Sequence, residues 1–328
     1  METLEETELC FPQLLNSSCM KPKRSNYQAM LTNIVVFSVS LLTVFLNLLV
    51  IISISHFKQL HTPTNLLLLS LAVSDFFVGL LMLFQIMFID GCWYLGDILC
   101  ALYPYLLYVT TSTSVGTMVL ISIDRYVAVC VPLHYSTEVT QTRVKICVCL
   151  CWICSVIFQA LNLQNNLQQP GRFNSCFGEC VFVINYIAGV ADLIFTFIAP
   201  ITVIVVLYMR VFFVAVTQAR AMRSHIAAVS LQRSVKVSKK SEMKATRTLG
   251  VVVVVFLMCL CPYYCVALTG QDTLLNDSAA AIVLCLYYFN SCLNPMIYAF
   301  LYPWFRKSTK LIVTLKILQA DSSAANVL

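Results

Sequence analysis

Apolar residues run along this chain in long, nearly unbroken blocks, and polar residues are confined to the short stretches between them. Seven blocks, at 27–55, 63–89, 98–131, 143–163, 182–216, 242–269 and 279–302, are each long enough to cross about 30 Å of hydrocarbon as a helix. The pattern predicts an all-α membrane protein, a bundle of seven transmembrane helices, because a helix satisfies its own backbone where no water is present. Seven crossings put the two termini on opposite faces. Residues 1–26 read as a polar extracellular segment and 27–302 as the bundle. Residues 303–328 read as a cytoplasmic tail. It opens with Trp304, Phe305, Leu311 and Ile312 set against basic residues, the pattern of a short interfacial eighth helix.

Composition sharpens this picture. Hydrophobic residues make up 59% of the 328 and charged residues only 11%, where soluble domains carry about a quarter charged. Glu2, Glu5, Glu6 and Glu8 stand where a cleavable signal would need an apolar core, so the first block is expected to insert by itself. With the N-terminus outside, Lys21, Lys23, Arg24 and Arg172 are the outer share of the 21 basic residues, and the rest mark the inner side. The basic residues of 217–248, opposed by Glu242 alone, suit anionic lipid or an acidic cytoplasmic partner. Nucleic acid is not an expected partner. Two glycosylation sequons begin at Asn16 and Asn276, both on the side assigned as outer. Of sixteen cysteines, most lie inside the blocks and behave as small apolar residues. Cys10, Cys19, Cys92, Cys100, Cys176 and Cys180 lie at the outer face, where oxidation to disulfides is expected.

Charges inside the blocks are few, and each needs a partner. Asp75 sits halfway along the second block, with Asn47, Ser114, Asn290 and Asn294 as its candidate neighbours. It reads as a sodium or water site, with a neutral acid in a structural hydrogen-bond knot as the alternative. The third block starts near Cys100 and ends in Asp124-Arg125-Tyr126, a charged triplet at the inner surface. Pro200, Pro262 and Pro295 interrupt the last three blocks and favour kinks. Asp192 is the unassigned carboxylate of the fifth. A transporter would show matching halves, and an enzyme would need a nucleophile with its base. No halves match and all four histidines fall at inner loops, so neither is expected, and no cofactor is implied.

Asn47, LAVSD at 71–75, Cys100, DRY at 124–126, Trp152, Pro200, Pro262 and NPMIY at 294–298 occur in this order, one marker or more in every block. The set resembles the rhodopsin-like (class A) G-protein-coupled receptors. ISISHFKQLHTPTN at 52–65 and YAFLYPWFRKSTK at 298–310 are similar to the trace amine-associated receptors, mostly olfactory amine detectors. The resemblance implies a disulfide between Cys100 and Cys180 and a second between Cys19 and Cys176, while Cys10 and Cys92 receive no assigned partner. It implies that Arg125 pairs with Asp124 at rest and that Glu242 supplies the other half of this lock. Phe256, Tyr208, Asn294, Pro295 and Tyr298 take part as the sixth helix swings. It also implies a stimulatory or olfactory G protein raising cyclic AMP, an arrestin and a receptor kinase, and residence in the plasma membrane of olfactory cilia.

Two departures redirect the ligand reading. Amine receptors of this class carry an aspartate eighteen residues before the arginine of DRY, and here that position is Leu107. The tryptophan expected two residues before Pro262 is Leu260. An ammonium entering a low-dielectric pocket still needs a counter-charge, and some fish members of the family resemble this chain in carrying the acid on the fifth helix. The expected ligand is therefore a small amine bound at Asp192, with Leu107, Tyr108, Tyr263, Tyr264, Tyr287 and Tyr288 around it, the tyrosines supplying cation–π and hydroxyl contacts. The alternative is a class A receptor for a non-amine ligand, with Asp192 a neutral structural acid bonded to Tyr108 or a backbone carbonyl.

Overall fold

A computed structural model describes residues 8–14, 16–21, 26–226, 250–251, 253–266, 277–319 and 322–327. Its helices are α1 (Asn26–His56), α2 (Pro63–Asp90), α3 (Gly96–Cys130), α4 (Pro132–Glu138), α5 (Gln141–Asn162), α6 (Gln164–Gln168), α7 (Tyr186–Asp192), α8 (Ala199–Ile226), α9 (Val253–Val266), α10 (Asp277–Leu301) and α11 (Pro303–Val313). Among the described residues, five helical stretches are long and apolar enough to cross a membrane: α1, α2, α3, α5 and the α7–α8 run. The apolar α9 is the described part of the sixth expected crossing, and α10 occupies the seventh.

Local chemistry sets the boundaries. Thr62 caps α2 by accepting the Asn65 N–H at 3.3 Å, Pro63 fills the first helical position, and Gly91 ends the helix at φ 75°. Thr140 caps α5 in the same way at Arg143. The fifth crossing starts later than its apolar pattern predicts, at Tyr186 rather than 182. The Asn166 amide pairs with both backbone groups of Val183, at 2.8 and 3.0 Å, which holds that stretch extended, and Asn185 then caps α7 at Ala188. The inner loop after the third crossing contains α4. Glu242 and Asn276 lie outside the described residues, as does the start of the sixth block.

Between α7 and α8 the chain makes a π-turn at Leu193–Ile198, where the Ala199 N–H reaches back to the Ile194 carbonyl. Pro200 lacks the N–H that would close an ordinary turn onto residue 196, so the helix widens just before it. A π-turn rotates the residues that precede it relative to those that follow. It thereby sets the direction of Asp192.

In lipid, close backbone approach and polar contacts hold helices together more than apolar burial does. Ser40 donates to the Gly79 carbonyl at 2.7 Å, and a Cβ on Gly79 would come within 3.0 Å of Val44. A Cβ on Gly116 would lie 2.5 Å from the Cys151 sulfur, so α3 and α5 meet closely here and a larger residue would have to push that thiol aside. The Trp152 indole donates to Ser70, which also bonds Thr117, linking α5, α2 and α3. Leu71, Met118, Ile204 and Phe256 are fully buried among the central helices, while α1 and α5 present large apolar side chains outward.

Three disulfides cap the end where the N-terminal segment lies: Cys10–Cys92, Cys19–Cys176 and Cys100–Cys180. Cys10 and Cys92, unassigned from sequence, join each other, so the N-terminal segment is tied to the α2–α3 turn as well as to the loop before α7. Backbone bonds back this up: Cys19 N–H to the Phe177 carbonyl at 2.9 Å and Phe177 N–H to that of Ser17 at 2.8 Å. At the opposite end α11 buries Trp304 and Phe305 against the core and exposes Arg306, Lys307 and Lys310.

Candidate functional site

Asp192, at the end of α7, is buried, and its Oδ1 accepts the Gln159 amide at 2.7 Å. The same amide nitrogen donates to Ser112 Oγ on α3 at 2.8 Å, so Gln159 ties α5 to α3 and to the acid at once. In the alternative reading of Asp192 as a structural acid, its partner was expected to be Tyr108 or a backbone carbonyl, and the partner is Gln159 instead. Gln159 lies 33 residues away on another helix, and a glutamine amid an apolar run was the signal that sequence offered. Thr196, one turn on, sets its hydroxyl beside the same carboxyl.

The tyrosines expected around the ligand divide into two groups. On the Asp192 side, the Tyr264 hydroxyl is 3.5 Å from Thr196 Oγ1, and Thr196 also donates to the Asp192 carbonyl. Tyr264 stacks on Phe197 with ring centres 4.1 Å apart. Tyr263 bridges toward α10, 4.7 Å from the Tyr287 ring, and Tyr108 is its hydrogen-bonding neighbour. Tyr287 donates to Thr111 on α3 at 2.9 Å. On the far side, Tyr288 donates to Gln85 on α2 at 3.0 Å, and Leu107 packs among Tyr288, Met82 and Tyr103. The position that carries the usual acid is therefore built into apolar packing.

Below this region Asp75 is fully buried. Ser114 and Ser291 donate to its Oδ1 at 3.3 and 2.9 Å, and Asn294 to Oδ2 at 2.7 Å. Two of the four expected neighbours differ. Asn47 bonds the carbonyls of Thr43 and Ser291 instead of the acid, because its amide lies level with the α10 backbone. Asn290 leaves its Oδ1 buried and without a partner among the described residues, at the edge of a cavity of about 10 Å³ that Ser114, Ser291 and Phe256 also line. Ser291 was missed, though it shares a face with Asn294 three residues on.

At the inner end Arg125 folds back onto Asp124, donating from Nε at 2.9 Å and from Nη2. Thr64 on α2 accepts from Arg125 at 2.6 Å and donates to Asp124 at 3.0 Å, and Tyr135 on α4 donates to the other carboxylate oxygen at 2.9 Å. Tyr126 is half-buried beside them. The buried Tyr208 hydroxyl has no partner among the described residues, and Pro295 lies inside α10. Glu242 and the side chain of Tyr298 fall outside what is described. Asn16 stands exposed on the rim of an outer cleft of about 590 Å³, beside Asp97, Phe177 and Glu179.

A helical bundle in a membrane, a disulfide-capped mouth and an Asp-Arg pair at the inner end define a heptahelical receptor. Residues 46–298 match the family model described as 7 transmembrane receptor (rhodopsin family). Within that family the chain belongs to the trace amine-associated receptors, and it is not an enzyme. It is 35% identical to trace amine-associated receptor 13c of Danio rerio, over 98% of this chain and 97% of the relative. It is 38% identical to trace amine-associated receptor 1 of Mus musculus, covering 86% and 88%, and 38% identical to trace amine-associated receptor 9 of Rattus norvegicus, covering 98% and 97%.

Proposed function

We propose that this receptor is switched on by a small amine whose ammonium binds Asp192. The observation that carries the reading is a buried carboxylate on the fifth crossing with no basic side chain bonded to it among the described residues, held by Gln159 and set beside Thr196 and Tyr264. Leu107, across the bundle, offers no charge. A buried ammonium without a counter-ion is strongly disfavoured, and Asp192 supplies one, while the rings of Tyr263, Tyr264 and Tyr287 add cation–π contact. The ligand then lies turned relative to one anchored on the third helix.

Ligand binding draws the sixth helix outward, frees Arg125 from Asp124 and admits a stimulatory G protein that raises cyclic AMP. Arrestin and a receptor kinase end the signal. The setting is the plasma membrane of olfactory cilia, with the N-terminus outside, residues 1–26 extracellular and 303–328 cytoplasmic. Asp75 with Ser114, Ser291 and the orphan Asn290 oxygen forms an all-oxygen set of the kind that suits a hard cation such as sodium.

The test is Asp192→Asn, with a panel of amines and a cyclic AMP readout at matched surface expression. Loss of a buried ion pair predicts at least about a 100-fold fall in potency, from the 3–5 kcal/mol that breaking such a pair costs. Unchanged potency for every active amine would refute the assignment. The second reading, a non-amine receptor with a structural acid, draws on the Gln159 bridge between α3, α5 and α7. It predicts that no amine activates the wild type and that Asp192→Asn mainly lowers expression.

A further inference from the structure

We propose that Gln85, Tyr103 and Tyr288 form a fixed wall that confines the receptor to compact monoamines, an inference that rests on Asp192 being the ammonium anchor. The Gln85 Oε1 accepts the Tyr103 hydroxyl at 2.7 Å and the Tyr288 hydroxyl at 3.0 Å, and the two hydroxyls stand 3.4 Å apart. An amide oxygen has two lone pairs. Both are used, so a single atom closes α2, α3 and α10 against one another. Tyr103 and Tyr288 are 5% and 3% exposed.

The wall is braced from behind. The Tyr103 ring packs on Phe88 and Phe84 at 5.2 and 5.9 Å and on Trp93 at 6.1 Å. Trp93 is pinned by its indole bond to the Gly96 carbonyl at 2.9 Å, and Cys100, three residues before Tyr103, is bound to Cys180. Leu107 packs against both the cluster that holds Tyr103 and the one that holds Tyr288. Displacing this surface would break buried hydrogen bonds and repack an aromatic cluster together, so a ligand meets it as a boundary.

The adjacent Tyr287 and Tyr288 mark the border. Tyr287 belongs to the ligand side, through Thr111 and the Tyr263 ring, and Tyr288 belongs to the wall. An amine anchored at Asp192 extends toward Tyr263 and Tyr287 and stops at Leu107 and Tyr288. The wall has amide and hydroxyl groups but no carboxylate of its own. Further along α2, Asp90 is engaged by the Asn33 amide at 3.2 and 3.3 Å. A second ammonium reaching this side would find the Gln85 oxygen already engaged by two hydroxyls and no counter-charge, so an α,ω-diamine is rejected where the monoamine of equal length is accepted.

The experiment measures potency ladders for n-alkylamines, ω-phenylalkylamines and α,ω-diamines of increasing length, on the wild type, Gln85→Leu, Tyr288→Phe, Gln85→Glu and Asp192→Asn, each at matched surface expression. The wild type is expected to lose at least about tenfold in potency at the methylene that meets the wall. Gln85→Leu and Tyr288→Phe are expected to raise the long-to-short potency ratio by about tenfold, moving the cut-off outward. Gln85→Glu, close in shape, is expected to favour diamines over matched monoamines by a similar factor. A merely structural role would shift all lengths in parallel. Parallel ladders in every wall variant, with amine responses lost in Asp192→Asn, overturn the wall and leave the anchor standing. Amine responses that survive Asp192→Asn overturn the anchor, and the wall with it. Gln85→Leu and Tyr288→Phe each remove one hydrogen-bonding role without adding volume, so either one that reaches the surface decides the outcome.

Discussion

Tyr135→Phe tests the resting lock most directly. The Asp124 carboxylate is buried and receives the Arg125 guanidinium on one oxygen together with Thr64, and the Tyr135 hydroxyl on the other at 2.9 Å. Burial first, and then the Asp124 charge beside it, push the Tyr135 phenol above its ordinary value, so it stays a donor at every physiological pH. A hydrogen bond to a charged partner contributes about 1.5–3 kcal/mol. Only the part lost on activation biases the switch. If Arg125 leaves Asp124 when the receptor turns on, the network opens, and losing Tyr135 from the resting state alone shifts the resting-to-active ratio by about tenfold at the low end of that range. The assay is ligand-free nucleotide exchange on the G protein, per receptor at the surface. Basal exchange should rise about tenfold from a small starting value in Tyr135→Phe, and Thr64→Val should act in the same direction. The nearby Glu138–Arg143 pair is exposed on both sides, and such pairs contribute about 0–1 kcal/mol, so Arg143→Gln serves as the neutral control. Wild-type basal exchange in both Tyr135→Phe and Thr64→Val would refute the view that Asp124 holds Arg125 at rest.

Two further predictions concern the outer cap. Cys92→Ser removes the Cys10–Cys92 link, which closes a separation of 82 residues; disulfides of this kind contribute about 2–4 kcal/mol, so the purified receptor should unfold several degrees lower, with the Cys10→Ser, Cys92→Ser double variant no worse than either single one. The Glu179 carboxyl is held below its ordinary 4.5 by the Ser175 hydroxyl and N–H that donate to it at 2.7 and 2.6 Å. A depressed acid stabilises the fold above its unfolded value and loses that contribution as pH falls through its folded value. Amide exchange at Ser175 should therefore stay slow at pH 4.5, quicken only below it, and lose this acid dependence in Glu179→Gln.

The crossings were legible because lipid demands long apolar helices whatever packs against them. The residues that touch across the bundle were less so. Glu-rich ends, prolines and the DRY triplet are read along the chain, whereas Gln159, Ser291 and Gln85 act through partners 33, 216 and as many as 203 residues away. Each is a neutral polar residue inside an apolar block, a type that carries no charge to flag it and earns attention only once a partner is in view. The same blindness explains Asn47, whose amide serves the Ser291 carbonyl and not the carboxylate one helix over. The fifth crossing shows the converse, since its apolar run continues to residue 182 while Asn166 and Asn185, both polar, decide where the helix begins.

Charge and neutrality divide the work of this pocket. If Asp192 is the amine anchor proposed above, an acid on the fifth helix in place of the third needs something to aim it, and the π-turn before Pro200 and the Gln159 amide do so from two directions. The place it vacated cannot stay polar and empty, because an unpartnered polar group there would be costly. Leu107 fills it, and the hydroxyls of Tyr103 and Tyr288, left without an acid to meet, close on Gln85 instead. On that reading two neutral amides serve the pocket, Gln159 behind the acid and Gln85 across from it. On this argument Leu107→Asp alone should not restore a third-helix amine site, since its carboxylate would face the committed Tyr288 hydroxyl, while Leu107→Asp combined with Gln85→Leu frees that hydroxyl to receive it. Amine potency in the Asp192→Asn background should recover with the pair and not with the single change. Recovery with Leu107→Asp alone would show that the wall does not hold the tyrosines.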